Sequence, residues 1–422
     1  MELYYSFSVL IVMAAIFAYV NERFIKLPAT IGIMLMAIIA SIALVITGNI
    51  FPNLFTGFST FIMKLDFTEI LMGAMLNFLL FAGAIHIRLK DLREQRGPVM
   101  VFSTVSVVIS TFIVGGLAYV ILPLFHLQVP FIQCLVFGAL ISPTDPIAVL
   151  SILKTAGVRK SLETKVAGES LFNDGVAVVV FVVLLELAKG SDVDLSFTNI
   201  SWLLIKEAVG GFALGLLIGY IGSKAMHKID SPNVCALITL AIVMGGYLIA
   251  HSMHISGPLT MVAAGLVIGN FGKATRMSLN TKDYLNKFWE LIDEILNAIL
   301  FLFIGFELLL IPDIMNYWQV GLLFILVVLF ARFISIYIPT KIIPFKNKFD
   351  RQTIIILVWG GLRGGVSVAL ALSIDEHLNK NLFLSLTYFI VVFSVLVQGL
   401  SIGKLVQAGK ARQLKNKTTV VI

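Results

Sequence analysis

Charge is scarce in this chain: only 13% of its 422 residues are Asp, Glu, Lys or Arg, where soluble domains carry about a quarter. Long polar stretches are missing too. The longest, about 272–287, is too short to hold a soluble domain. There are two cysteines, Cys134 and Cys235, both inside apolar segments. No disulfide framework is expected from them, and they say nothing about redox compartment. The first segment lacks a basic leader and a small-residue cleavage site, so it is expected to be retained as a helix.

Apolar residues fill the space that charge leaves. They make up 59% of the chain, and segments of about 20 residues, long enough to cross a bilayer, recur along its whole length. Thirteen are expected, at about 4–20, 28–48, 68–87, 98–122, 129–153, 166–188, 198–222, 232–250, 257–271, 288–311, 316–340, 352–374 and 382–403. The fold class is therefore an all-α polytopic membrane protein, a single integral membrane domain over 1–422. Segment 51–66 reads as an amphipathic outer connection and 407–422 as a short basic tail at the cytoplasmic surface.

Basic residues give the orientation. With the N-terminus outside, the loops facing the cytoplasm carry 25 of the 31 Lys and Arg, and the opposite loops carry three, Lys64, Lys189 and Lys380. Such asymmetry marks the cytoplasmic side. The net charge of +7 thus reflects topology, and no nucleic-acid partner is expected.

Two segments contain breaks. The fifth holds Ser142-Pro143-Thr144-Asp145-Pro146. Each proline removes a backbone donor and pushes its predecessor out of helical geometry. The twelfth holds Gly360-Gly361-Leu362-Arg363-Gly364-Gly365, where glycines weaken the helix and permit close approach. The breaks lie seven segments apart, each in the middle of a triplet, so they run in opposite directions. Inverted repeats with two crossing discontinuous helices are expected, with the substrate site between them. Asp145 is placed to balance half-helix N-termini and Arg363 to balance C-termini.

Between the breaks in sequence lies Gly168-Glu169-Ser170-Leu171-Phe172-Asn173-Asp174-Gly175. Two carboxylates in a lipid-length helix mark an ion or proton site. Asp174 sits about nine residues into its segment, about 13 Å deep and close to the midplane. Hard cations take oxygen ligands. Asp174 offers a carboxylate, Ser170 and Thr144 offer hydroxyls, and the unwound fifth segment offers carbonyls. Arg363 is expected to neutralise Glu169 in a structural ion pair, leaving Asp174 to hold a proton or a cation in competition. Glu307 and Arg332 are read as structural contacts. Glu290, Asp293 and Glu294 are ordinary helix-start acids or the lining of an inner funnel. The hydroxyls of Ser103, Thr104, Ser106, Ser110 and Thr111 are expected to pack on the sixth segment. An intramembrane aspartyl protease built on Asp145 and Asp174 would need a Gly-x-Gly-Asp context that is absent, so no enzyme activity is expected. A solute symporter would need a roomier, aromatic-lined or basic site.

In this order the three motifs, the third read as Trp359-Gly360-Gly361-Leu362-Arg363-Gly364-Gly365, resemble the monovalent cation:proton antiporter-1 family of NhaP-type antiporters and sodium/proton exchangers. The resemblance implies sodium/proton exchange in the cell membrane, contributing to pH homeostasis. It also implies a homodimer, and a core of about 98–188 and 316–403 moving against a dimerisation scaffold. It places ion binding on Asp174, Ser170, Thr144, Asn173 and Asp145, with Na+ at Asp174, Ser170 and Thr144. It likewise implies a Glu169–Arg363 pair. The partners are then a monovalent cation, a proton and membrane lipid, with no cofactor. Asn173 stands where a related family has a second aspartate, so one-for-one electroneutral exchange is expected. Potassium/proton exchange by the same machinery is the alternative.

Overall fold

The computed structural model describes residues 2–48, 74–190, 197–227, 229–272, 277–307, 311, 314–345 and 349–419. Segment 51–66 lies outside them. Among the described residues the secondary structure is helical apart from one two-residue bridge. Eight helices among the described residues are long and apolar enough to cross a membrane, and three shorter apolar ones accompany them. Phe131–Leu140, one of the short ones, is half of a broken span.

Helices α1 (Glu2–Val20), α2 (Ala29–Gly48) and α3 (Leu76–Ile85) open the chain. A short helix, Arg96–Ser103, leads into α4 (Val105–Ile121). The first broken span follows as α5 (Phe131–Leu140) and α6 (Ile147–Thr155), with the two prolines in the gap. Helix α7 (Lys160–Ala188) carries the acidic octapeptide. Then come α8 (Phe197–Met226), α9 (Pro232–Ser252), α10 (Gly257–Val267), α11 (Leu279–Glu307) and α12 (Trp318–Ile342). The second broken span is α13 (Arg351–Trp359) and α14 (Gly365–Leu372). The chain ends in α15 (Lys380–Phe393) and α16 (Gly399–Thr419), so the expected tail continues a helix.

Packing divides these helices into two groups. In one, α4, α5, α7, α12, α14 and α15 pack on each other around Phe137, which stacks on Phe383 at 5.3 Å and meets Phe324 edge-on at 5.5 Å. In the other, α11 lies along α2 and α3, and α8 lies along α10. The groups meet where α7 touches α3, α8 and α10, and where α14 touches α11. Outward-facing Trp202, Leu248 and Leu326 remain exposed, as an apolar solvent demands.

The breaks cross. The backbone N–H of Asp145 donates to the carbonyl of Leu362 at 2.8 Å, forming an antiparallel bridge between the two unwound stretches. Helix α5 packs on α14, while α6 and α13 both pack on α16, so the spans run in opposite directions. The bridge satisfies backbone groups that would otherwise lie buried without partners.

Two of the hydroxyls along α4 take their hydrogen-bond partners from elements other than the sixth segment. Ser106 donates to the carbonyl of Ser335 on α12 at 2.6 Å, and Thr111 meets Ser142 in the first break at 3.3 Å. Helix α4 lies chiefly against α12 and α5, while Ser106 and Ser110 share a small cavity with Asn173 of α7 and the short helix ending at Ser103 packs on α7.

Candidate functional site

The crossing leaves half-helix ends facing each other, and arginines meet the carbonyl ends. Nη1 of Arg363 donates to the carbonyls of Ser142 at 2.6 Å and Pro143 at 2.8 Å, just past the end of α5. Nη2 of Arg332 donates to the carbonyl of Leu357 at 2.9 Å, in the last turn of α13. Carbonyls at a helix end carry partial negative charge, so each cation sits where that charge collects.

This arrangement corrects the expected pairing. Glu169 does not take Arg363 as its ion-pair partner. It pairs with Arg332, whose Nη1 lies 2.5 Å from Oε1 of Glu169. Arg363 remains close enough to attract Glu169, but the carbonyls of the first break hold its guanidinium. Those carbonyls are accordingly engaged by Arg363. The sequence marks Arg332 as a structural contact without naming its partner. Its signal was present as a lone arginine in a lipid-length segment, which requires a buried acid. The side chain of Glu307 lies outside the described residues.

The glycines of the second break make room for charge. A methyl group at Gly361 would strike the guanidinium of Arg332, and one at Gly364 would strike the carboxylate end of Asp145. Gly364 is the N-cap residue of α14, so Asp145 lies against a half-helix N-terminus, where a negative charge is stabilised.

On α7, Asn173 clamps the first break. Its amide nitrogen donates to Oγ1 of Thr144 at 2.8 Å, and its carbonyl oxygen accepts from the Thr144 backbone N–H at 3.4 Å. Oγ1 of Thr144 lies 3.1 Å from Oγ of Ser170. Thr144, Ser170 and Asn173 are thus brought together, all buried. Asp174 is also buried, at 7% exposure, and its Oδ1 accepts no hydrogen bond among the described residues. Asp145 repels it and Arg363 attracts it.

A cavity of about 1190 Å³ reaches this cluster and includes Asp145, Asp174 and the first turn of α14 in its walls. Its mouth carries Lys26, Arg88, Lys154 and Lys160. Glu290, Asp293 and Glu294 line it from α11, which favours the funnel over the ordinary helix-start role.

The sodium/hydrogen exchanger transmembrane family model matches residues 11–408. The Na+/H+ antiporter NhaP of Pseudomonas aeruginosa is 48% identical over 416 residues, 97% of each chain. The Na+/H+ antiporter NhaH of Halobacillus dabanensis is 34% identical across 81% of this chain and 83% of its own. In fold, the sodium proton antiporter MjNhaP1 of Methanocaldococcus jannaschii aligns with a TM-score of 0.76, covering 96% of this chain and 99% of its own at 21% identity.

Proposed function

The chain belongs to the sodium/hydrogen exchanger family, and from that premise we propose that it exchanges Na+ or Li+ for H+ across the cytoplasmic membrane, one for one, by competition for Asp174. The observation that carries this reading is the state of Asp174. It is buried, its Oδ1 accepts no hydrogen bond among the described residues, and a cavity reaches it. A buried carboxylate in that setting favours whatever neutralises it. A cation and a proton both do so, and each excludes the other.

The hydroxyls of Thr144 and Ser170 supply further oxygens for the cation, and Asn173 holds Thr144 in register. Asp145 adds negative charge beside the site. Glu169 is neutralised by Arg332 and takes no part in the competition. With one carboxylate deciding, one proton leaves for each cation taken up. The reading assigns the chain no covalent chemistry and no cofactor; Na+ and H+ are cargo.

The basic residues around the cavity mouth belong to the loops that the charge asymmetry assigns to the cytoplasm. The N-terminus is then outside, the C-terminus inside, and the site is open to the cytoplasm. Exposure to the other side follows from sliding the group containing α4–α7 and α12–α16 against α1–α3 and α8–α11, which dimerise. The larger contacts between the two groups are those of α7 and α14 with α3, α8, α10 and α11, with a smaller one where residues 394–399 meet α2, and this narrow boundary supports motion along it.

Everted vesicles carrying the protein and a pH-sensitive dye test the proposal. Adding Na+ or Li+ is expected to dissipate an imposed proton gradient. Dissipation by K+ alone would point to potassium/proton exchange, and no dissipation by any of the three would reject antiport.

A further inference from the structure

The cavity contains more cation-binding chemistry than the exchange step uses. Along α11, Glu290, Asp293, Glu294 and Asn297 all line it, at spacings of three and four that bring them to one helix face. Asn297 is 2% exposed. Its amide nitrogen donates to the backbone carbonyl of Asp293 at 2.8 Å, while its Oδ1 accepts no hydrogen bond among the described residues. A buried amide oxygen left without a donor is costly, and this one belongs to the cavity wall. Ser367, 1% exposed in the first turn of α14, lines the same cavity and its hydroxyl is likewise unpartnered. The two helices touch at Leu300 and Gly365.

Charge completes the picture. The charged groups acting on Asp293 are Asp145, Glu294 and Glu290, all acidic, with Asp145 the strongest. Asp145 is also the charged group that repels Asp174 most strongly. Asp145 therefore acts on two carboxylates lining the same cavity, one on α11 and one on α7, which belong to the two packing groups. Three acids in electrostatic contact around a cavity favour a cation among them.

We propose that the cavity holds a second monovalent-cation position, between Asp293 of α11 and Asp145 of the first break, with Asn297 Oδ1 as a neutral ligand and Ser367 at its rim. A cation waits there before it passes to Asp174. No three acidic, His or Cys side chains among the described residues close on one point. The position therefore suits a loosely held, partly hydrated monovalent ion, because Ca2+ would demand six or more oxygens.

The inference rests on reading the chain as a cation exchanger. Its test uses the full-length purified protein and radiolabelled Na+. In Asp174→Asn, saturable Na+ binding is expected to persist, weakened about tenfold or more as the deeper carboxylate is lost. It is expected to disappear in Asp174→Asn/Asp293→Asn and to weaken in Asp174→Asn/Asn297→Leu. In proteoliposomes, Asp293→Asn is expected to raise the cytoplasmic-side KM for Na+ about tenfold, more than it lowers Vmax, and Asp293→Glu to restore it. Gel filtration and melting of each variant establish that it is folded. Loss of all saturable binding in Asp174→Asn, or an unaltered KM in folded Asp293→Asn, overturns the second position while leaving exchange itself intact. Absence of Na+ exchange in the wild-type protein overturns both readings.

Discussion

Arg332 of α12 and Glu169 of α7 form a buried ion pair, 2.5 Å apart, with side chains 7% and 2% exposed. Arg363 stands nearby and is committed to two backbone carbonyls instead. The two arginines therefore hold different things: one an acid, the other the end of a half-helix.

This division gives a double-mutant cycle with a clear sign. Glu169→Ala or Arg332→Ala strands a buried charge and should destabilise the protein by about 3–5 kcal/mol, read as a lower melting temperature of the purified protein. The double variant should lose less than the sum of the two. Arg363→Ala strands two carbonyls, at about 1–3 kcal/mol each, and should couple to Glu169→Ala more weakly than Arg332→Ala does. Strong coupling of Glu169 to Arg363, with none to Arg332, would reverse the assignment.

Gly364→Ala is expected to reduce exchange at least about tenfold while the protein remains folded, because the added methyl group collides with Asp145. Gly116→Ala is the control. Nothing lies within 4 Å of its added methyl, and a mid-helix alanine stabilises by about 0.5–1 kcal/mol. Initial rates of Na+-driven proton movement, measured at equal protein density, compare the two.

Much of this site was legible before any coordinates. Pro143 and Pro146 mark the first break because their chemistry forbids a continuous helix, and the glycines around Arg363 mark the second. The acids of α7 stand out because a lipid-length helix does not carry charge idly. The partner of Glu169 was not legible. Arg332 and Arg363 both lie deep in apolar segments, and only the packing of α12 on α4 and α15 decides which one reaches α7. The role of Gly361 and Gly364 was hidden for the same reason, since the groups they accommodate, Arg332 and Asp145, come from other spans. The α11 acids read as ordinary helix-start charges until the cavity joined them to Asp145.

Exchange should be indifferent to membrane potential. Moving one net charge across about 100 mV is worth about 2.3 kcal/mol, so any stoichiometry other than one for one shifts the exchange equilibrium strongly. Proteoliposomes clamped with K+ and valinomycin at zero and at an imposed potential should give the same endpoint. A potential-dependent endpoint would require a second proton-carrying group, for which Asp145, the carboxylate acting on Asp174, is the candidate.

Asp174→Asn should abolish Na+-driven proton movement and leave the melting temperature at or above that of the wild-type protein, because it removes a buried charge that no described group hydrogen-bonds through Oδ1. Retained exchange in a folded Asp174→Asn protein would move the decisive carboxylate elsewhere.

Competition for one carboxylate is tested most directly by the KM for Na+ as a function of pH, with pH equal on both sides of the liposome. Below the pKa of the site, the KM should rise about tenfold for each unit of acidification, while rates extrapolated to saturating Na+ fall far less. A KM that stays constant as the rate is lost to acid would mean that proton and cation occupy separate groups, and would contradict the account.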